Sequence, residues 1–389
     1  MDRRLFLERG GLALLGLGLG ACARGGPSLG SVRPRRLLVP VRASWDRVIR
    51  TTVGLRPYRP SGFVLRAGRL DDKMLIHNYG HGGSGMSLSW GTGQMAAELA
   101  LEQPGRQAAV LGCGVAGLTA ARQLQRRGFE VRIYAASVPP DTTSNMSLAG
   151  WTPTSGLVES DRRTSAWDAQ FRRAATLAYH QLQLLVGRGY GVSWLEGYSL
   201  SDSPPGGGPG DRTGARPPLR EPLLPAELRT ESSVLGPGEH PFPTRYATVA
   251  PSLRIEPSIY LDALVRDVRE AGARIVIRRF DTPRDVAALD ERVVVNCTGL
   301  GSGTLFGDRE IMPVKGQLTH LIPQPEVDYS TFGSASPSAG GFVHMQPRSD
   351  GIALGGTTEE GNWSLGPNLE ARQRIVEAHI TLFAGMLRS

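Results

Sequence analysis

The sequence predicts an α/β fold, because one stretch has the form of a strand, a glycine turn, a helix and a second strand. An apolar run over 108–111 leads into the turn, and Leu118, Ala121 and Leu124 follow at helical spacing. A second predicted strand covers 131–134. The turn has the spacing GxGxxG and consists of Gly112, Cys113, Gly114, Val115, Ala116 and Gly117. This order of elements is typical of a parallel sheet covered by helices.

The three glycines of the turn are predicted to bind a dinucleotide. Gly112 allows the tight turn, Gly114 lets the backbone approach a pyrophosphate, and Gly117 lets the helix pack closely on the strand. Val115 and Ala116 begin the helix, where backbone N–H groups attract phosphates. The alternative is a glycine-rich turn with a purely structural role.

The second strand lacks the acidic residue that commonly binds the adenosine ribose in such a unit. Residues 135–137 after Tyr134 are Ala, Ala and Ser, and Glu130 lies at the opposite end of the strand. We therefore expect hydroxyl groups of the next loop to bind the ribose, with a plain polar turn as the alternative. The residues of this loop are Asp141, Thr142, Thr143 and Ser144.

Composition limits the class of protein. The 389 residues are 40% hydrophobic and 21% charged, which is enough for one large or two moderate cores. Arginine supplies almost all of the positive charge behind the net +8, but no arginine block with interleaved aromatics is present, so no nucleic-acid partner is expected. The three cysteines are not spaced for zinc or for a disulfide framework, and no metal is expected.

The N-terminus reads as a targeting segment. Arg3 and Arg4 resemble a twin-arginine export signal, residues 11–21 are apolar, and the sequence before Cys22 resembles a lipoprotein cleavage site. The apolar run is too short to span a bilayer. We expect residues 1–22 to be an export signal, 23–36 a tether, and Cys22 a lipid anchor in the cell envelope. The alternative is an uncleaved N-terminal anchor.

A loop dense in glycine precedes the dinucleotide turn. A predicted strand over 75–79 enters this loop, and residues 94–101 have a helical pattern. Glycines let backbone N–H groups approach a flat ligand or an anion closely. The ligand-lining stretch is predicted to be Gly82, Gly83, Ser84, Gly85, Met86 and Ser87.

Several long motifs resemble those of a known family. GLRPYRP at 54–60 and IHNYGHGGSGMSLSWG at 76–91 resemble the C-terminal signature of D-amino-acid oxidases, flavoenzymes with a glutathione-reductase-like fold. Here this signature precedes the dinucleotide turn instead of following it, which implies a circular permutation. The remaining family motifs keep their usual order: TTSNMSLAGWTP at 142–153, RIEPSIYLDAL at 254–264, VVVNCTG at 293–299, PVKGQL at 313–318 and IALGGTTEEGNW at 352–363.

The resemblance implies an FAD-binding Rossmann domain and an α+β substrate domain with a mixed sheet. The permuted segment would be 37–104, the Rossmann core 105–160, and the substrate or cap domain mainly 161–290. Residues 291–313 would return to the FAD domain, and 314–389 would complete the substrate domain with a terminal helix.

The resemblance also implies the reaction. Hydride would pass from the α-carbon of a D-amino acid to the N5 atom of FAD, yielding a 2-oxo acid, ammonia and, with oxygen, hydrogen peroxide. Arg56 matches the arginine that binds the substrate carboxylate, although it could instead pack beside Pro57. Gly83 matches the glycine whose carbonyl receives the substrate amine. The expected partners are an amino acid or amine, oxygen or a quinone, the membrane through Cys22, and a second copy in a homodimer.

Two positions depart from the family pattern. His344 replaces an active-site tyrosine, and Gly340 replaces a lid tyrosine. Tyr329, within the predicted lid 324–341, could take the lid role, or it could be an ordinary loop residue. His344 could bind a substrate carboxylate or face a core. These departures leave open a quinone-dependent dehydrogenase of another amine, and an FAD-binding envelope protein without turnover.

Overall fold

Two β-sheets and the helices packed on them form the framework of the computed structural model, which describes residues 36–204, 222–333 and 342–386. The predicted export signal, nearly all of the tether, and Gly340 lie outside these residues. Every described residue belongs to one compact unit.

The described part of the chain contains fifteen strands and seven α-helices. The strands are β1 (Val48–Tyr58), β2 (Val64–Leu70), β3 (Lys73–Tyr79), β4 (Gln107–Leu111), β5 (Glu130–Ala135), β6 (Val192–Ser201), β7 (Ser233–Leu235), β8 (Tyr246–Ile255), β9 (Arg274–Ile277), β10 (Val293–Asn296), β11 (Met312–Leu321), β12 (Tyr329–Gly333), β13 (Val343–Arg348), β14 (Gly351–Gly355) and β15 (Glu359–Glu360). The helices are α1 (Gly85–Ala100), α2 (Val115–Gln125), α3 (Ser165–Leu185), α4 (Pro257–Glu270), α5 (Pro283–Ala287), α6 (Gly301–Phe306) and α7 (Leu369–Met386).

The first sheet has six strands in the order β2, β3, β10, β4, β5, β9. All neighbouring pairs are parallel except β2 and β3, which form an antiparallel edge. Strand β4, helix α2 and strand β5 follow one another as the sequence predicted. Strand β3 precedes them in the chain, so the segment before the glycine turn contributes strands to the same sheet.

The second sheet is mixed and has nine strands. Its main path runs β1, β11, β14, β13, β12, β6, β8, β7, and β15 pairs with β11 beside it. Strands β12 and β6 are parallel, whereas the other pairs are antiparallel. The α/β class and the mixed sheet predicted from the sequence are therefore confirmed.

Hydrophobic clusters pack against both sheets. Helices α1, α2, α3 and α4 cover the six-stranded sheet, and the side chains of Leu88, Leu118 and Phe171 are completely buried there. Helix α1 packs so closely on α3 that a Cβ on Gly91 would stand 1.9 Å from the carbonyl oxygen of Ala174. The second core lies between the nine-stranded sheet and α7. No helix among the described residues is long and apolar enough to cross a membrane.

Candidate active site

A cavity of about 1240 Å³ lies beyond the carboxyl ends of β4, β5 and β10, where ligands bind in open α/β sheets. One end is lined by residues 134–137 and 278–281, and the other by the inner face of the nine-stranded sheet. The predicted dinucleotide turn and the glycine loop both line the cavity between these ends.

The geometry of the turn explains why it needs glycine. Gly112 has a φ of +107°, and a Cβ there would stand 2.5 Å from the carbonyl oxygen of Cys297. A Cβ on Gly117 would stand 2.0 Å from the carbonyl oxygen of Gly112. Gly114 instead faces the cavity, where the nearest atom to its Cβ position is Oγ of Ser144 at 3.1 Å. The turn thus leaves its open side toward a ligand at the N-terminus of α2.

The loop predicted to bind the ribose lies partly at that helix terminus. Thr142, Thr143 and Ser144 line the cavity, together with Val115 and Ala116. Oγ of Ser144 accepts a hydrogen bond from the backbone N–H of Val115 at 3.0 Å. The Ser144 hydroxyl therefore lies at the N-terminus of α2, the kind of position where phosphate groups bind, whereas the sequence prediction assigned it to the ribose.

The end of the cavity beyond β5 contains residues that the sequence did not point to. Arg278 donates its backbone N–H to the carbonyl of Ala135 at 2.9 Å, which extends the pairing of β9 with β5. Its guanidinium lies 4.7 Å from the ring centroid of Phe280. These two side chains lie beside the position where the expected acidic residue is missing. The only available sequence signal was the change from an apolar strand to charged residues after Ile277.

The glycine loop divides into two groups. Gly82, Gly83, Gly85 and Met86 line the cavity. Ser84 and Ser87, which were predicted to line it too, face segment 150–155 instead: the Ser84 hydroxyl donates to the carbonyls of Thr152 and Ser155, and the Ser87 hydroxyl donates to that of Gly150. The cavity-lining prediction is therefore wrong for these two side chains, because their hydroxyls hold the loop against that segment.

Arg56 is an unpaired cation in the wall of the cavity. It lies on β1 opposite Val314 of β11, and its guanidinium covers Gly316. Among the described residues this guanidinium has no hydrogen-bond or ion-pair partner, and burial lowers the pKa of Arg56 from the ordinary value. A buried cation without a partner is costly, so this position favours an anionic ligand group.

His344 lines the same end of the cavity. It lies on β13 opposite Gly355, and its imidazole covers that glycine: a Cβ there would stand 2.1 Å from Cε1 of His344. Its Nδ1 atom has no partner among the described residues. Burial, followed by His379 and Arg56, lowers the pKa of His344 to about 3. The imidazole is therefore neutral near pH 7.

Tyr329 does not take the lid role. Its side chain is 1% exposed and lies in the core of the nine-stranded sheet, where it packs edge-on against Tyr198. Its hydroxyl donates to the backbone carbonyl of Val39 at 2.9 Å and lies 3.8 Å from the sulfur of Met386. The lid prediction for Tyr329 is therefore wrong, because strand β12 turns this side chain toward α7 and away from the cavity.

The residues present fit a bound FAD. The cavity joins a helix N-terminus for phosphates, a glycine loop for a flat ring and an arginine that lacks a partner. Among the described residues, no group of histidine, cysteine and acidic side chains could hold a metal ion. These features define the class as an FAD-dependent oxidoreductase.

Comparison with known proteins identifies the family. The model of the DAO family, described as FAD dependent oxidoreductase, matches residues 34–99 and 107–388, and the chain belongs to this family. The chain is similar to the D-amino-acid oxidase of Rubrobacter xylanophilus, with 32% identity over 279 residues that cover 69% of this chain and 75% of the relative. It is also similar to the D-amino-acid oxidase of Streptomyces coelicolor, with 30% identity over 72% of this chain and 79% of the relative.

The fold is likewise similar to a solved structure. Glycine oxidase from Geobacillus kaustophilus superposes with a TM-score of 0.51 and 16% identity, covering 73% of this chain and 80% of that chain. At this identity the likeness concerns the fold alone.

Proposed function

We propose that this enzyme deaminates D-amino acids oxidatively. The observation that carries the proposal is the unpaired Arg56 guanidinium in the cavity wall. Two relatives at 30% identity or more are named D-amino-acid oxidases, which supports the substrate class. The substrate loses a hydride from Cα and a proton from its amine to become an imino acid, and water converts this into a 2-oxo acid and ammonia.

Arg56, Gly83 and His344 orient the substrate in this proposal. The planar fork of the Arg56 guanidinium binds the substrate carboxylate by two parallel hydrogen bonds. The carbonyl of Gly83 accepts a hydrogen bond from the amine, and the neutral imidazole of His344 donates one to the carboxylate. Such fixation holds the Cα–H bond in the productive direction. FAD, when bound, supplies the two-electron acceptor for that bond.

The final electron acceptor in this proposal is oxygen, which takes up two electrons and two protons to form hydrogen peroxide. A second candidate is a dehydrogenase that acts on another amine and passes the electrons to a quinone. The histidine at position 344 favours this alternative. It replaces a family tyrosine, and it therefore changes both the size and the polarity of the end of the cavity that would hold the substrate.

An anaerobic titration of the flavin absorbance tests the proposal. D-amino acids, their L forms and simple amines are added to the FAD-loaded protein, to Arg56→Ala and to Arg56→Lys. We expect only D-amino acids to bleach the flavin, and both variants to lose at least about 100-fold in kcat/KM. Arg66→Ala, an exposed change on β2, serves as the control. Bleaching by L forms or simple amines alone would overturn the proposal, and peroxide release in air separates oxygen from a quinone as acceptor.

We also propose that the chain is a circular permutant of its family. The family model matches it in two separate blocks, 34–99 and 107–388. The hydroxyl of Tyr329 contacts both Val39 and Met386, so a short connection could join the end of α7 to the segment before β1. A rearranged chain running from 106 to 386, then through a Gly-Ser linker to 36–100, should fold and bind FAD. An insoluble or flavin-free product would contradict the permutation.

Export to the cell envelope with a lipid on Cys22 is a separate proposal, supported by the signal-like sequence of residues 1–22. Cys22→Ala should release the protein from the membrane fraction, and replacement of Arg3 and Arg4 by lysine should retain it in the cytoplasm. A wild-type protein found in the soluble fraction would contradict the lipid anchor.

A further inference from the structure

Glu360 lies in the same row of the nine-stranded sheet as Arg56. Arg56 is opposite Val314 in the pairing of β1 with β11, and Val314 is opposite Glu360 in the pairing of β11 with β15. Directly opposed residues project from the same face of a sheet. All three residues accordingly line the cavity. Two strand spacings separate the Cα atoms of Arg56 and Glu360 by about 10 Å.

The carboxylate of Glu360 is free, whereas that of its neighbour is not. Glu359 accepts a hydrogen bond from Nδ2 of Asn362 at 2.6 Å and lies 3.8 Å from Nζ of Lys315. The side chain of Glu360 makes no hydrogen bond or ion pair with any described residue. Residues 357–360 all line the cavity, but the carboxylate of Glu359 is held by Asn362 and lies near Lys315, whereas that of Glu360 is left available to a ligand.

A second carboxylate, that of Glu159, acts near the same row of the sheet. Tyr58 lies two residues beyond Arg56 on the same face of β1 and also lines the cavity. Its pKa is raised, first by burial and then by the carboxylates of Glu159 and Glu360. Arg59, which follows it, is occupied by ion pairs with Asp308 and Glu310. The cavity therefore presents a cation at Arg56 and free negative charge farther along the same row.

We infer that Glu360 selects substrates whose side chain carries a positive charge at its tip, such as D-lysine. This inference rests on the proposed function, because it assumes that the α-carboxylate binds Arg56. The four-carbon stem of lysine holds the ammonium group away from the α-carbon. D-lysine can therefore span the distance between Arg56 and Glu360, with its carboxylate at one and its ammonium group at the other. A neutral side chain of the same length gains nothing from Glu360, and an acidic one is repelled by it.

The test compares D-lysine with D-norleucine, which has an uncharged side chain of four carbons. Anaerobic flavin reduction is measured for the FAD-loaded wild type, Glu360→Gln and Glu360→Lys. We expect the wild type to prefer D-lysine, and the ratio of the two kcat/KM values to fall about tenfold in Glu360→Gln, mainly through KM. Glu360→Lys should lower the ratio further. Glu102→Gln makes the same charge change at an exposed residue and should leave the ratio unaltered.

Two outcomes overturn the inference and are distinguishable. If D-norleucine reduces the flavin but the ratio is equal in wild type and Glu360→Gln, Glu360 does not select the side chain, while the proposed function stands. If no D-amino acid reduces the flavin, the proposed function fails and the inference fails with it.

Discussion

Arg56 lies flat against Gly316, so that a Cβ on Gly316 would stand 2.4 Å from Nη2 of the Arg56 guanidinium. The two residues lie on neighbouring strands of the same sheet, β1 and β11. The missing side chain at 316 is therefore what gives the guanidinium its place in the cavity wall. The same relation holds for His344 and Gly355 on β13 and β14. A glycine on the neighbouring strand thus makes room for each of the two polar side chains.

Replacing Gly316 by alanine should displace the guanidinium without removing its charge. We expect kcat/KM for the proposed D-amino-acid substrate to fall on the order of 100-fold, because a shift of about 1 Å in a positioning group has effects of this size. Flavin content should remain that of the wild type. Steady-state kinetics on the FAD-loaded protein provide the measurement.

Gly68→Ala is the matched control, since a Cβ on this strand glycine of β2 meets only one atom, the carbonyl oxygen of Leu75 at 4.0 Å. Unchanged kinetics in Gly316→Ala would mean that Arg56 does not hold the substrate carboxylate from this position.

Gly114→Val should weaken FAD binding while leaving the fold intact. The added side chain would project into the cavity at the N-terminus of α2, where its nearest neighbour is the movable Ser144 hydroxyl at 3.1 Å. We expect the Kd for FAD, measured by titrating the apoprotein, to rise at least about tenfold. The Tm of the apoprotein should change little.

Gly117→Val provides the contrast, because a Cβ there would stand 2.0 Å from the Gly112 carbonyl and must disturb the packing of α2 on β4. This variant should lose both FAD and stability. Wild-type FAD affinity in Gly114→Val would show that the phosphates do not approach this glycine.

The elements that the sequence predicted best have local signals. The turn at 112–117 could be predicted from its glycine spacing and from the apolar strand before it, because both signals lie within about thirty residues of chain. Helix α1 shows where local signals fail: the glycine-dense loop predicted a helix only from residue 94, whereas α1 begins at Gly85. Close packing on α3 explains the difference, because Gly91 allows a contact that no other residue could make.

The site residues that the sequence missed depend on distant contacts. Arg278 and Phe280 reach the cavity only because β9 pairs with β5, which are separated by more than a hundred residues in the chain. The hydroxyls of Ser84 and Ser87 turn away from the cavity toward a segment over sixty residues later. Neither relation has a periodic or compositional signal, so only the folded structure could provide it.

Tyr329→Phe tests the corrected role of this residue. Removing the hydroxyl leaves the Val39 carbonyl without its partner, so we expect the free energy of unfolding to fall by about 1 kcal/mol. Because Tyr329 lies outside the cavity, kcat and KM should both stay within about twofold of wild type. Urea unfolding and steady-state kinetics of the same preparation separate the two effects. A loss of activity without loss of stability would mean that Tyr329 contributes to the substrate site.

Buried histidines should make the protein sensitive to acid. Burial is the main reason why the pKa falls from 6.5 to about 4 for His81 and His379, and to about 3 for His320 and His344. Below pH 6.5 these histidines bind protons in the unfolded chain but stay neutral in the folded chain. Each histidine therefore lowers the free energy of unfolding by up to about 1.4 kcal/mol per pH unit as the pH falls from 6.5 toward 4.

His320 offers a clean measurement of this effect, because it lies outside the cavity and bonds Oγ1 of Thr52 at 3.2 Å, a contact that a glutamine amide can keep. We expect urea unfolding of His320→Gln, in constant excess FAD, to show a shallower loss of stability between pH 6.5 and 4.5. The exposed His180 is the control, and His180→Gln should follow the wild-type slope. Equal slopes for His320→Gln and wild type would mean that His320 accepts a proton in the folded state near its ordinary pKa.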